Sequence, residues 1–193
     1  MSGSAKTIAA ENKQMPADFS NLSRLSRTRY FVSNVFLRGF IWLLGLVPYH
    51  WRVPMMGWLV SHVFGPLAGF DKRVRENLLL VRPDLSEPEI KNLCRAVPDN
   101  AGRTLIELYA GEDFLRRARS APVHGPGLAA LEKARSEGRP VVLMTGHFGN
   151  YEATRAALVA RGYNIVGLYR DMKNPYFNAH YVKTMETFGG PVF

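Results

Sequence analysis

The stretch "PVVLMTGHFGNYEATRAALVARGYNIVGLY", from Pro140 to Tyr169, decides the predicted fold. Two apolar runs, 140–144 and 164–169, predict strands because they are short and rich in β-branched residues. The alanine-rich segment between them predicts a helix from about Tyr151 that stops at Gly162. Strands alternating with helices are typical of an α/β layer with a largely parallel sheet.

The alternation continues on both sides of this stretch. A helix is predicted at 128–136, ending before Gly138, and another begins at Asn174-Pro175 and ends near Phe188. Residues 191–193 then predict a further strand. The fold class is therefore α/β, with the first part of a mostly parallel sheet flanked by helices. Because a parallel sheet needs more strands to bury both of its faces, we expect a fragment or truncated product.

Two apolar stretches, 30–51 and 53–70, precede this region. The first is about as long as a membrane span of roughly 20 residues, although Arg38 lies near its middle. The second carries no Lys, Arg, Asp or Glu but is broken by Gly and Pro. We predict N-terminal membrane-associated helices, the second lying at the interface or against the catalytic domain. The alternative is a soluble protein whose buried helices are simply hydrophobic.

Composition and charge restrict the classes of binding partner that are expected. The 193 residues suit one domain with a sizeable core, or a small domain with an appendage, and the net charge of +9 indicates an anionic partner. No paired Cys/His spacing, basic heptad helix or single-strand-binding aromatic motif is present, so we expect a lipid-like anion and no nucleic acid. The one cysteine, Cys94, excludes an internal disulfide and is interpreted as a small core residue.

The sequence predicts four segments of different character. Ser86 and Glu89 form an S-x-x-E capping box, which predicts the start of a helix within the helical block. The segments are a mobile basic arm (1–29), hydrophobic membrane-anchoring helices (30–70), a helical block (71–120) and the first part of an α/β catalytic domain (121–193).

The turn after the first predicted strand is the candidate site, because ligands collect at the carboxyl ends of parallel strands. His147 projects from this turn, and Glu152 falls in the first turn of the next helix. Gly149 lets the backbone approach a substrate, and Asn150 lies beside it. We therefore count Gly149 and Asn150 as substrate-binding candidates.

A histidine five residues before a glutamate favours acid–base chemistry. An imidazole can take the proton of a hydroxyl, while a carboxylate on its other nitrogen holds its tautomer. No G-x-S-x-G elbow is present, so the nucleophile is expected to come from a substrate. A metal site is the rival interpretation, but one H-x-x-x-x-E lacks the second histidine of the zinc helix motif. A structural histidine beside a capping glutamate is the simpler alternative.

Several motifs together carry a family resemblance. "RVRENLLLVRPDLSEPE", "TGHFGNYE", "LYRDMKNPYF" and a following "GG" occur in this order. Over residues 30–193 the chain resembles the late acyltransferases of lipid A biosynthesis, the lauroyl and myristoyl transferases of the glycerolipid (lysophospholipid) acyltransferase superfamily. Members of that family continue beyond the R-x-x-x-N-P block, so the resemblance implies an incomplete acyltransferase fold.

The resemblance implies an enzyme of lipopolysaccharide biosynthesis at the cytoplasmic face of the cell inner membrane. Such enzymes move an acyl chain from acyl carrier protein, a co-substrate, to a hydroxyl of a phosphorylated glycolipid, with no cofactor and no metal. His147 would be the base and Glu152 its partner. Arg170 would bind phosphate or help to hold the substrate, and Asn174, which is also counted as substrate-binding, would shape the adjacent loop. Other membrane lipid acceptors, or an inactive membrane-bound remnant, are the alternatives.

Overall fold

The computed structural model describes residue 19 and residues 22–192. Most of the predicted arm, 1–29, lies outside this part of the chain, as does Phe193. The α-helices are α1 (Arg24–Gly45), α2 (Tyr49–Leu59), α3 (Gly65–Leu67), α4 (Phe70–Val81), α5 (Glu87–Leu108), α6 (Glu112–Ser120), α7 (Leu128–Ser136), α8 (Tyr151–Val159) and α9 (Pro175–Gly189). A π-helical segment, Val60–Phe64, joins α2 to α3.

Local signals explain where several helices begin and end. The Ser86 amide donates to the Glu89 carboxylate at 2.8 Å, which confirms the predicted capping box at the start of α5. The predicted helix at 128–136 is confirmed as α7, and Gly138 follows it with a positive φ of 66°. Within the predicted helical block, α5 continues through a buried Pro98 as far as Leu108, and α6 begins at Glu112.

The described chain forms two compact units. The continuous unit comprises 40–113, and the discontinuous unit comprises the described residues before 40 together with 114–192. The core of the continuous unit is built on buried side chains of α1, α2 and α5, with partly buried neighbours around them. The buried members are Leu44, Val53, Met56 and Ile106, and the neighbours are Phe40, Tyr49, Met55 and Val60. The predicted division into four segments stays a prediction.

Helices α2 and α5 approach closely because glycines lie at their crossing. A Cβ added at Gly102 would lie 2.7 Å from the Met56 carbonyl oxygen and 2.8 Å from the Val60 Cβ. A Cβ at Gly57 would lie 2.5 Å from the Asp99 carboxylate. The space that a side chain would need is therefore taken by backbone and Val60 at Gly102, and by the Asp99 side chain at Gly57.

This crossing yields a stability prediction. Gly102→Ala is expected to lower the free energy of unfolding by about 1–2 kcal/mol, because overpacking against backbone outweighs the gain in helix propensity. Gly39→Ala is the matched control, since Gly39 lies in α1 with nothing within 4 Å of the added methyl. It is expected to raise the same quantity by up to about 1 kcal/mol. Urea unfolding measures both, and shifts of the same sign would refute the close-crossing explanation.

The discontinuous unit has its core between α8 and α9, with a contribution from α6. Phe114 of α6 meets Phe188 of α9 edge-on, with ring centroids 4.9 Å apart. Further buried residues of the two main helices are Ala156, Ala157 and Leu158 of α8 and Val182 and Met185 of α9. This core holds the later part of α8, the helix at whose start the candidate site lies.

The predicted parallel sheet is wrong, and with it the α/β fold class. Over residues 19 and 22–192 no strand forms, and the only bridge is an isolated parallel one between Gly167 and Val192. In the predicted strand 140–144, the side chains of Val142 and Met144 are 86% and 95% exposed. An apolar run becomes a strand only when a neighbour pairs with its backbone and other elements cover its faces. The described fold is helical.

The predicted membrane-associated helices are also not supported. α1 carries Arg24, Arg27, Arg29 and Arg38, which interrupt its apolar length. Among the described residues, no single helix is long and apolar enough to cross a membrane. Tyr49–Leu67 and Phe70–Val81 meet the length and composition requirement together, but the two are bent by 90° relative to each other.

Candidate active site

His147 lies in the loop that leads into α8. Its side chain is exposed, and its ring packs against the ring of Tyr151, with centroids 4.3 Å apart. Gly149 has a φ of 55°, a conformation that favours glycine, and lets the chain turn into the helix. Asn150, half-buried, occupies the N-cap position of α8. His147 therefore lies before the helix, as predicted, but the strand that was expected to precede it does not form.

Glu152 lies in the first turn of α8, as predicted, and it is buried. Its Oε2 accepts a hydrogen bond of 2.8 Å from Nε of Arg155, and the two side chains are only 10% and 11% exposed. A carboxylate suits this position because the first turn of a helix carries a partial positive charge. The Glu152 carboxylate is thus held by Arg155 in the protein without substrate.

The structure places His147 and Glu152 at the same helix start without joining them. Among the hydrogen bonds and ion pairs of the described residues, none links the imidazole to the carboxylate. Glu152 Oε2 is engaged by Arg155, while no described hydrogen bond engages Oε1. Catalytic hydrogen bonds often tighten only when substrate is bound, so the dyad stays a prediction.

The two remaining predicted substrate residues differ in their surroundings. Arg170 is exposed in the irregular segment that precedes α9. Asn174 caps α9, where its Oδ1 accepts from the Tyr176 and Phe177 amides at 3.1 and 3.3 Å. Its Nδ2 donates at 2.9 Å to the carbonyl oxygen of Tyr30 and to Ser33 Oγ. Asn174 therefore joins α9 to α1, and its substrate role stays a prediction.

Comparison with known protein families finds a match over most of the chain. The family of bacterial lipid A biosynthesis acyltransferases matches residues 19–193, which include the His147–Glu152 box and the Arg170–Asn174 block. The chain belongs to this family. It is therefore an acyltransferase of lipid A, and hence lipopolysaccharide, biosynthesis, with a lipid acceptor, and the family resemblance is confirmed. Searches of curated proteins and of solved structures found no match.

In this acyltransferase, sequence reasoning missed Arg155. Besides Glu152, its guanidinium reaches the carbonyl oxygens of Met185 at 3.3 Å and Gly189 at 3.1 Å. An acid and an arginine three residues apart share a helix face, so the spacing Glu152-x-x-Arg155 could have indicated the ion pair. The contacts with α9 had no such local signal.

The other reactive groups of the acyltransferase lie elsewhere. Cys94, in the continuous unit, is half-buried, and its thiol donates a weak hydrogen bond of 3.6 Å to the Asp71 carbonyl oxygen. Burial first, and then the negative charge of Asp71, raise the pKa of this thiol, which disfavours a reactive thiolate. A cavity of about 600 Å³ lies beside it, with walls from α4 and α5. No group of three potential metal ligands occurs in the described residues.

Proposed function

We propose that this acyltransferase moves a fatty acyl chain from acyl carrier protein to a hydroxyl of a lipid A precursor. His147 acts as the general base, and Glu152 orients and stabilises it. The observation that carries the proposal is an exposed imidazole at the start of a helix whose first turn buries a carboxylate. Family membership supplies the reaction class.

The proposed transfer balances without a covalent enzyme intermediate. Nε2 or Nδ1 of His147 removes the proton of the acceptor hydroxyl, and the oxygen attacks the thioester carbonyl of the donor. The new ester C–O bond forms as the C–S bond breaks, and the carrier thiolate leaves. The imidazolium then returns the proton to that thiolate. Glu152 stabilises the imidazolium during its short life.

The charge of the chain supports this donor and this acceptor. Acyl carrier protein is acidic, and lipid A precursors carry phosphates, so a net charge of +9 favours encounter with both. Arg170, exposed before α9, is proposed to contact an acceptor phosphate, because a guanidinium can form bidentate hydrogen bonds with phosphate oxygens. Gly149 and Asn150 are proposed to lie beside the reacting hydroxyl.

We propose that the reaction takes place at the cytoplasmic face of the inner membrane of a Gram-negative bacterium. The acceptor is a membrane lipid, and acyl carrier protein is cytoplasmic. Trp42, Trp51 and Trp58 are each more than half exposed, and tryptophan favours the head-group level of a bilayer.

The test compares donors and acceptors in one assay with purified full chain. Lauroyl- and myristoyl-acyl carrier protein are compared with the same chains on coenzyme A, using a phosphorylated glucosamine-disaccharide lipid or a lysophospholipid as acceptor. We expect ester formation on the disaccharide at least about tenfold faster from the carrier protein, with the difference shrinking at high salt. Mass spectrometry of the lipid product measures it.

The other outcomes separate the alternatives. Transfer mainly to the lysophospholipid would replace the proposed acceptor with another membrane lipid. A preference for coenzyme A thioesters would contradict the proposed donor. Absence of product from every pair, in protein that unfolds cooperatively in urea, would favour the inactive remnant.

A further inference from the structure

Arg155 is a buried arginine whose guanidinium is engaged on several sides. Nε donates to Glu152 Oε2 at 2.8 Å, and Nη1 and Nη2 donate to carbonyl oxygens at the end of α9. The guanidinium carbon also lies 5.7 Å from the Phe188 ring centroid. One side chain thus connects the candidate catalytic carboxylate to the C-terminal turn of another helix.

The Arg155 guanidinium fits where it does because two neighbouring residues, Gly189 and Gly167, have no side chain. A Cβ added at Gly189, the last residue of α9, would lie 2.3 Å from Cζ of Arg155. A Cβ at Gly167 would lie 3.1 Å from Nη1. The last carbonyls of a helix lack partners within that helix and carry partial negative charge, so a cation is stabilised there. The arginine is therefore held by α9 independently of Glu152.

Holding a buried carboxylate by a buried arginine adds little net stability in most proteins, because desolvation offsets the attraction. Its effect here is positional. With Oε2 of Glu152 fixed by Arg155, rotation of the carboxylate is restricted, and Oε1 has no described hydrogen bond. A restricted carboxylate loses less entropy when an imidazole binds to it.

We propose that Arg155 is a positioning residue of the acyl transfer. It orients Glu152 so that the second carboxylate oxygen accepts from the His147 imidazole during the reaction, and it fixes this geometry to the end of α9. This inference rests on the proposed roles of His147 and Glu152. It predicts that Arg155 acts on the rate through Glu152 alone.

A double-mutant cycle tests this dependence. Arg155→Gln is expected to lower kcat about 10–100-fold, because a small misplacement of a catalytic group is costly, with KM for both substrates within about twofold. Glu152→Gln is expected to lower kcat about 10²–10⁴-fold. Adding Arg155→Gln to Glu152→Gln should lower kcat no further. Equal losses from Arg155→Gln in both backgrounds would overturn the proposal.

Arg161→Gln is the matched control. Arg161 follows α8 and donates to the carbonyl oxygens of Ala157 at 2.8 Å and Ala121 at 2.6 Å, with no contact to Glu152 among the described hydrogen bonds. It is expected to change kcat by less than about twofold in either background. If Arg161→Gln gives the same pattern as Arg155→Gln, the effect is general loosening of α8 and the proposal fails.

A second variant covers loss of folding. Should Arg155→Gln unfold, Arg155→Lys keeps the charge at the end of α9 but loses the guanidinium fork, and the same cycle is run with it. The proposal is supported if Arg155→Lys alone gives a kcat between those of the unmodified chain and Arg155→Gln, and if adding it to Glu152→Gln lowers kcat no further. It is opposed if Arg155→Lys leaves kcat unchanged, or if it lowers kcat equally in both backgrounds. If Glu152→Gln and His147→Ala are themselves fully active, the proposed function fails first. If they are inactive and Arg155 is additive, only the positioning role fails.

Discussion

His147→Ala is expected to lower kcat for acyl transfer by about 10²–10⁴-fold, the range that a positioned general base contributes. Stability should change by no more than about 0.5 kcal/mol, because the side chain is exposed and its described contact is the Tyr151 ring. Single-turnover measurement of ester formation, together with urea unfolding, separates the two effects.

His124→Ala is the control for this experiment. His124 is exposed in the loop before α7 and belongs to the same unit as His147. It is expected to leave kcat within about twofold of the unmodified chain. A His147→Ala protein with kcat within about threefold of that chain would remove the imidazole from the reaction, and with it the proposed dyad.

Asn174→Ala is expected to lower the free energy of unfolding by about 2–3 kcal/mol. The substitution removes the cap of α9, worth about 1 kcal/mol, and two further hydrogen bonds at about 1 kcal/mol each. Those two bonds join Nδ2 to the Tyr30 carbonyl oxygen and to Ser33 Oγ on α1. Urea titration followed by circular dichroism provides the measurement.

Two variants divide this loss between the cap and the contact with α1. Asn174→Asp retains an oxygen that accepts from the amides of Tyr176 and Phe177 but has no Nδ2, so it should lose about 1–2 kcal/mol. Ser33→Ala removes one acceptor and should cost no more than about 1 kcal/mol. An Asn174→Asp protein as stable as the unmodified chain would show that the contact with α1 contributes nothing.

Parts of the fold could be predicted because their causes are local. The capping box of Ser86 and Glu89, the end of α7 before Gly138 and the start of α9 after Asn174 each depend on atoms within a few residues. The sheet could not be predicted in the same way. An apolar run such as 140–144 indicates a capacity to form a strand, but pairing requires a partner from a distant part of the chain.

The candidate site likewise has features that could be predicted from local sequence and features that depend on distant parts of the chain. The order of His147, Glu152, Arg170 and Asn174 in the sequence was enough to indicate an acyltransferase, and family membership confirms that reaction class. How these side chains are held was not readable from it. Asn174 binds residues 144 and 141 positions away, and that contact exists only after α1 and α9 have packed.

By itself, the sequence determined the family and the positions of helices whose start and stop signals are local, while the chemistry of its histidine box stays a prediction. Only the tertiary structure decided that Glu152 is buried against Arg155, and that Arg155 lies over Gly189, 34 residues further along the chain. The physical reason is the distance along the chain over which each interaction acts. Capping and turn preferences act within one helical turn, whereas burial of a charged pair depends on which distant backbone atoms exclude water from it.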